Sequence, residues 1–292
     1  MPELAVVIVN RNGRDALARC LESLRESAQG KDWEVTVADN ASEDGSPEVV
    51  SRNFPKFRLL RTGGNLGFAK ANNMAWKQTR SPFVLFLNPD TVVHPGSLEL
   101  LVEGMKRDPQ AGACGPLLLR EGDKPQVSFG GRVSFFRELL QKSLLNPYYK
   151  RRLRSKCRPR EVTWVSGACL LARREAVEQA AGFDENFFLY FEDIDLCVRM
   201  AARGWKILFL PQVRVFHEGG AATRQFAPSR LEYRKSQLRF YKRHNSRASL
   251  RLLRSYLRLN FFLLGLKDIV RKNRNADLRR FRQLLKDPEA KP

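Results

Sequence analysis

The sequence predicts an α/β fold, a mostly parallel sheet flanked by helices, followed by a basic helical C-terminal extension. Three observations carry this expectation. Short β-branched runs alternate with segments of helical periodicity over the first 107 residues, the pattern of strand–helix–strand units. The apolar runs end in polar clusters, Asn10-Arg11-Asn12, Asp39-Asn40 and Asn88-Pro89-Asp90, where open α/β sheets bind ligands. Charge is segregated: residues 1–136 hold 17 basic and 16 acidic side chains, whereas residues 224–292 hold 20 and five.

Leu4–Val9 is a continuous apolar run, expected as a strand covered on both faces. Arg14–Ala28 places Leu17, Cys20, Leu21 and Leu24 at helical spacing. Trp33–Ala38 reads as the second strand, and Ser46 followed by Pro47 as an N-cap and first helical turn. Phe57–Leu60 is a third strand leading through the Gly-rich Thr62–Phe68 into a helix over Ala69–Gln78. Pro82–Leu87 and Pro95–Arg107 continue as strand and helix. Residues 121–160 turn polar, then aromatic and basic, and read as an insert or mobile loop. Beyond it come a strand, Trp164–Ala172, and a helix, Arg174–Ala181, closed by Gly182. Phe183–Asp195 is an acidic aromatic loop entering a helix over Ile194–Arg203. Lys206–Leu210 and Val213–Phe216 read as two short strands, with His217 just beyond. From Pro228 onward the pattern is helical, basic and amphipathic.

The composition excludes several classes. With 292 residues, 43% hydrophobic and 28% charged, the chain is globular rather than disordered. Its five cysteines (Cys20, Cys114, Cys157, Cys169 and Cys197) form no C-x-x-C pair, so neither a zinc ribbon nor a disulfide framework is expected; they read as buried thiols in a reducing cytosol. The Leu4–Val9 run is far shorter than the ~20 residues needed to span a bilayer, and polar residues rather than a small-residue cleavage site follow it. The net charge of +21 suits a polyanion, either nucleic acid or an anionic membrane. No nucleic-acid motif accompanies it, and the aromatic residues do not interleave with the basic ones as a stacking platform requires. No nucleic-acid partner is therefore expected.

Four constellations can carry chemistry. In Phe83–Thr91 an apolar strand delivers Asp90 to an open sheet edge, where a carboxylate suits a hard divalent cation or simply ends a turn. Gly63–Asn73 places glycines between a strand and a helix, so that backbone N–H groups can approach an anion; it is neither a Walker loop nor G-x-G-x-x-G. Gly182–Arg199 gathers four carboxylates and a dense aromatic set, a setting that raises a carboxyl toward general-base range, although Asp193 and Asp195 also suit a helix start. Val213–Gly220 sets His217 before a Gly pair, free to ligate a metal or to serve as an ordinary hydrogen-bonding residue.

Six segments in register, Val6–Gly13, Ala38-Asp-Asn-Ala-Ser42, Gly64-Asn-Leu-Gly-Phe-Ala69, Leu87-Asn-Pro-Asp-Thr91, Ser166-Gly-Ala-Cys-Leu-Leu171 and Gly182–Arg199, resemble the family 2 inverting glycosyltransferases of the GT-A fold, most closely their rhamnosyltransferase-like branch. The resemblance covers residues 4–220. It implies a catalytic domain over 1–223, with a nucleotide-binding half (1–120), the basic insert (121–160) and an acceptor half (161–223), and 224–292 as the extension. It further implies a nucleotide-diphospho-sugar donor, by resemblance dTDP-L-rhamnose, with UDP- and GDP-sugars left open because no residue distinguishes thymine from uracil, and a divalent metal, Mg²⁺ or Mn²⁺. Asp39 would hold the base or ribose, with Asn10, Arg11, Asn65, Gly67 and Asn72 lining the nucleotide cleft. Asp90 matches the last acid of the D-x-D motif, whose first acid is here Asn88, and would hold the metal on the diphosphate with His217. Asp193 matches the general base, with Glu192 as the fallback. Phe188, Tyr190 and Trp164 suit either a sugar-stacking wall or core packing. The acceptor is expected to be a lipid-linked saccharide of a bacterial envelope polysaccharide.

In the tail, Leu250, Leu253, Leu257, Phe261 and Leu264 recur at steps of three and four beside Arg251, Arg254, Arg258 and Lys267. This predicts a helix lying on an anionic membrane surface, each basic residue there contributing ~1 kcal/mol, or else a helical pair packed on the catalytic domain. The enzyme is accordingly expected in the cytoplasm, peripheral on the inner face of the cytoplasmic membrane. The alternative activity is a sugar-phosphate nucleotidyltransferase, against which the chain lacks an early Gly-rich loop with a Lys.

Overall fold

A computed structural model of the chain describes residues 1–140, 158–219 and 229–270. Its centre is one sheet in the order β3-β2-β1-β4-β11-β6-β12-β5. The first four strands, β1 (Leu4–Asn10), β2 (Trp33–Asp39), β3 (Arg58–Arg61) and β4 (Phe83–Leu87), run parallel. They connect through α1 (Arg14–Ser27), α2 (Ser46–Asn53) and α3 (Phe68–Trp76). Every residue of β1 and β4 is buried, as near-continuous apolar runs in a doubly covered sheet require.

The second half is mixed. After β5 (Thr91–Val93) and α4 (Ser97–Arg107) comes β6 (Ala111–Arg120), which runs parallel to β12 (Lys206–His217). Between them β11 (Cys169–Arg173) is antiparallel to both β4 and β6. Short strands β7 (Lys124–Pro125) and β8 (Phe129–Gly130) and helix α5 (Phe135–Leu140) lie within the stretch expected as a loop, β9 (Arg160–Val162) begins at its end, and β10 (Trp164–Val165) follows. Residues 141–157 of that insert, Cys157 among them, lie outside the described residues; Cys20, Cys114, Cys169 and Cys197 are buried free thiols.

Several boundaries differ from expectation for local reasons. Strands β5 and β6 were not anticipated. The segment Trp164–Ala172 breaks into β10 and β11 because Ser166, Gly167 and Ala168 leave the ladder. Pro211 and Gln212 do not divide β12, which absorbs them as a register shift between Leu210 and Arg214 and carries His217 as its last residue. Ser46 does not cap α2: Gly45, at φ 82, precedes the helix, and Asp44 accepts from the Ser46 and Arg14 backbone N–H groups at 3.1 and 2.8 Å, holding two helix starts with one carboxylate.

After α6 (Arg174–Gln179), α7 (Glu192–Ala201) begins two residues earlier than expected, so Glu192, Asp193 and Asp195 all lie in its first turn. The C-terminal helices are α8 (Ser229–His244) and α9 (Arg247–Val270). They close a third core in which Leu238, Phe240, Tyr241, Leu253 and Leu257 bury Phe187 and Phe191. The expected lipid-facing stripe is thus corrected: Leu253 and Leu257 are fully buried and Leu250 packs against the same core. Phe261, Leu264 and Lys267 lie beyond the side chains that are described. Among the described residues no helix is long and apolar enough to cross a membrane.

Candidate active site

Asn10 and Asp39 end neighbouring strands in register, both buried. Asn10 donates to Ser42 Oγ at 3.2 Å, and Asp39 Oδ2 accepts the Ser42 N–H at 3.2 Å. Asp39 Oδ1 is buried and has no hydrogen-bond partner among the described residues. Such an oxygen costs free energy until a donor reaches it, which fits an N–H or hydroxyl arriving with a ligand. Arg11 follows half-buried.

Beside these strand ends lies the Gly-rich loop, and its organiser is Asn40. Its Oδ1 accepts the Leu66 N–H at 2.8 Å, while its Nδ2 donates to Asn65 Oδ1 at 3.0 Å. Asn65 also accepts the Gly67 N–H at 3.3 Å, and Asn72, buried on α3, donates to the Phe68 carbonyl at 2.9 Å. Asn65 and Asn72 therefore shape the loop and the helix behind it. Gly67 adopts φ 79, and a Cβ there would stand 2.5 Å from the Phe188 carbonyl oxygen. Only glycine fits. Through this contact, and a 2.8 Å bond from the Phe68 N–H to the same carbonyl, the acidic aromatic loop sits directly on the Gly-rich loop.

Asn73, in the second turn of α3, ties the other end of the acidic loop: it donates to the Phe183 carbonyl at 2.8 Å and to Glu185 at 3.1 Å, and accepts the Phe183 N–H at 3.0 Å. Tyr190 and Phe191 then take positive φ, 71 and 67, immediately before α7. This uncommon pair of left-handed aromatics is held by Tyr233 and Phe240 of α8, with ring centroids 5.3–5.5 Å away. Phe188 is partly open at the loop, whereas Trp164 donates to the Gly131 carbonyl at 3.2 Å and packs on Gly130.

The three acids of α7 have separate fates. Asp193 Oδ2 accepts the Gly167 N–H and Oδ1 the Ile194 N–H, both at 2.8 Å. Burial pushes its carboxyl above the ordinary value despite those bonds. Glu192 is buried, with Oε2 unpartnered, and burial together with the adjacent Asp193 charge raises it well above the ordinary value. Asp195 is fully buried as well, but His244 at 2.7 Å, Arg199 at 2.6 Å and Arg243 at 3.5 Å outweigh burial and hold it below the ordinary value.

At the end of β4, Asp90 Oδ1 lies 3.2 Å from His217 Nε2, and Asn88 Nδ2 lies 3.3 Å from the same nitrogen. His217 Nδ1 lies 3.0 Å from Gln126 Oε1, while Gln126 Nε2 donates to the His217 carbonyl. Since that carbonyl can only accept, the amide is oriented with its oxygen toward the ring, and Nδ1 carries the proton. A backbone link joins the Asp90 group to Asp193: the Asn88 N–H donates to the Ala168 carbonyl at 3.0 Å, next to the Gly167 amide that binds Asp193. Asn10 and Asp39 thus end the paired strands β1 and β2, Asn88 and Asp90 follow β4, His217 ends β12 opposite Thr91, and Asp193 sits at the head of α7 against the segment that enters β11.

Residues 5–180 match the family model described as glycosyl transferase family 2. The chain belongs to glycosyl transferase family 2. N-acetylglucosaminyl-diphospho-decaprenol L-rhamnosyltransferase of Mycobacterium tuberculosis (strain H37Rv) is 33% identical over 94% of this chain and 97% of its own length. Rhamnosyltransferase WbbL of Escherichia coli K12 is 24% identical, covering 76% of this chain and 85% of that protein. Among solved structures, a mannosyltransferase of Pyrobaculum calidifontis in complex with GDP-Man and Mn²⁺ shares the fold at TM-score 0.59 and 20% identity, over 82% of this chain and 63% of that one. The α/β architecture of this glycosyltransferase is therefore that of the GT-A fold.

The donor set at Asp90 decides whether a divalent cation fits this enzyme. One hard carboxylate oxygen and one imidazole nitrogen converge, and in the neutral ring whose proton sits on Nδ1 the Nε2 lone pair is the one turned toward Asp90, a pair of donors that suits Mn²⁺ or Mg²⁺. Among the described residues no group of three or more His, Cys, Asp or Glu could hold a metal alone, so further ligands would have to come from a bound diphosphate or water. Sequence reasoning missed Gln126, and it named Asn40 and Asn73 only as members of polar segments without their organising roles. The first sits in a stretch read as a loop, and the other two are amides whose only signal is proximity to the glycines and acids they organise.

Proposed function

We propose that this glycosyltransferase moves L-rhamnose, with inversion, from dTDP-L-rhamnose to a hydroxyl of a lipid-linked saccharide in bacterial envelope polysaccharide synthesis. Identity to a rhamnosyltransferase along nearly the whole chain supports the donor and acceptor classes. For the chemistry, the supporting observation is Asp193 at the head of α7, raised by burial and joined through Gly167 and Ala168 to the strand end that carries Asp90.

In this reading Asp193 takes the proton of the acceptor hydroxyl as its oxygen attacks the anomeric carbon, and the nucleoside diphosphate leaves from the opposite side. Asp39 Oδ1 accepts from the base or ribose, with Asn10 and Arg11 alongside, and the Asn40-braced loop through Asn65, Gly67 and Asn72 forms the cleft wall. Asp90 and His217 hold the cation, which when bound supplies positive charge to the diphosphate. Glu192, buried with its Oε2 unpartnered among the described residues, remains the fallback base. Residues 1–223 carry every residue assigned to the reaction, and 224–292 brace them and associate the enzyme with the inner face of the cytoplasmic membrane, where a lipid-linked acceptor resides. A nucleotidyltransferase finds no support in the family match.

Two measurements test this. In a thermal-shift panel of nucleotide sugars with and without Mn²⁺, dTDP-L-rhamnose should stabilise the protein more than UDP- or GDP-sugars. Asp193→Asn should lower transfer by about 10²-fold or more while keeping that shift, and wild-type activity should decline on the acid side as Asp193 protonates, above the ordinary aspartate value of ~3.9. Full activity in the variant removes Asp193 from the mechanism.

A further inference from the structure

The apolar side chains that α9 leaves in solvent are not the ones its sequence period singles out. With Leu250, Leu253 and Leu257 turned inward, the opposite face exposes Leu252 (42%), Leu259 (57%) and Phe262 (62%). At 100° per residue these three lie within about 80° of one another, and Arg251 and Arg258 border them, both exposed. Helix α5 packs on α9 through Phe135 and Tyr256, ring centroids 5.8 Å apart, and it too exposes large apolar groups, Phe136 (64%) and Leu139 (41%). Leu252 and Leu259 stand one turn before and one turn after Tyr256, so the apolar strip of α9 borders the seam with α5. Five of the nine exposed large hydrophobic side chains among the described residues belong to these two helices. A soluble surface scatters such groups.

We infer that the paired outer faces of α5 and α9 form the surface by which the enzyme docks on an anionic phospholipid bilayer, Leu252, Leu259, Phe262, Phe136 and Leu139 entering the headgroup boundary while Arg137, Arg247, Arg251 and Arg258 meet lipid phosphates. The occupant follows from charge. Every exposed ionisable side chain on the outer face of α9 up to Phe262 is an arginine, and residues 224–292 hold 20 basic against five acidic side chains, which suits an anionic surface and opposes a second copy of the same basic face. The position suits the acceptor proposed above, on which this inference builds. Helix α8 links the docking helices to the loop before Asp193: its Gln237 and Tyr241 donate to Glu138 of α5, and its Tyr233 and Phe240 rings hold Tyr190 and Phe191.

Flotation of the full chain with phosphatidylcholine vesicles, alone or with 30% phosphatidylglycerol, tests the assignment. The wild type should float only with the anionic vesicles. Leu252→Ser/Leu259→Ser/Phe262→Ser and, separately, Phe136→Ser/Leu139→Ser should each lower the bound fraction at least tenfold. Leu100→Ser, an exposed position on α4, should not. The dTDP-L-rhamnose thermal shift, read on every variant, shows that the fold is retained and reports separately on the donor assignment. Undiminished flotation of both multiple variants, flotation equal on neutral vesicles, or a dimer that the same substitutions dissociate without any vesicle binding overturns the inference.

Discussion

At the scale of single residues, three acids on one helical turn show how environment assigns roles to a shared chemistry. Asp195 is the ion, permanently matched by Arg199, Arg243 and His244, whereas Asp193 is held with a raised affinity for protons and only backbone amides for partners. Because Asp195 is held below its unfolded value, its contribution is fully present above that unfolded value and is lost as pH falls through the folded one. Asp195→Asn strands a buried cationic cluster and should cost about 3–5 kcal/mol at neutral pH. In melts of both proteins from pH 7 to pH 2, the difference should close at the acid end. Gln126 acts at the same scale through His217. Gln126→Leu removes the acceptor that keeps the proton on Nδ1, so the ring loses its preference for a bare Nε2. The Mn²⁺ concentration needed for half-maximal thermal stabilisation in the presence of nucleotide should rise about 10-fold or more, and Gln126→Glu, which keeps the acceptor, should recover most of it.

At the scale of elements, the connection that matters most is the clamp between the Gly-rich loop and the acidic loop. Gly67→Ala demands a left-handed alanine and drives a Cβ into the Phe188 carbonyl. Backbone cannot yield as a flexible side chain would, so the variant should lose about 2 kcal/mol or more in denaturant titration and bind nucleotide sugar more weakly. The same scale explains what the sequence made legible. β1 and β4 are uninterrupted apolar runs and β2 is a β-branched one, and the residues proposed to face the ligand lie at their polar ends. β6 was invisible because Gly112, Gly115 and Pro116 look like loop. In the fold the two glycines exist because Trp205 and Val165 press on the strand at distances no Cβ allows. His217 could be flagged as a lone residue near a Gly pair, but its pairing with Asp90 depends on β12 running antiparallel to β5 with His217 opposite Thr91, a long-range register that local pattern does not encode. The leucine stripe of α9 was legible as a stripe. Which side it faced was not, because a buried partner face and a lipid face have the same composition.

At the scale of the whole molecule, the C-terminal helices are part of the catalytic fold rather than an appendage. They supply the rings that hold Tyr190 and Phe191 in left-handed backbone, the counter-charges of Asp195, and most of the core around Phe187. Energy placed there should be felt at the sheet. All four tryptophans, Trp33, Trp76, Trp164 and Trp205, precede residue 220, so their fluorescence reports only on the α/β part of the chain. Leu257→Ala, a fully buried truncation on α9, should cost about 2–5 kcal/mol. If α8 and α9 fold as one unit with the sheet, the tryptophan transition must shift to lower urea by that whole amount, in step with far-ultraviolet circular dichroism. Were the helices an independent module, circular dichroism would show an early helical phase while the tryptophan midpoint stayed at its wild-type value. The coincidence of the two curves therefore measures whether the surface assigned to the membrane and the helix that presents Asp193 belong to one cooperative body.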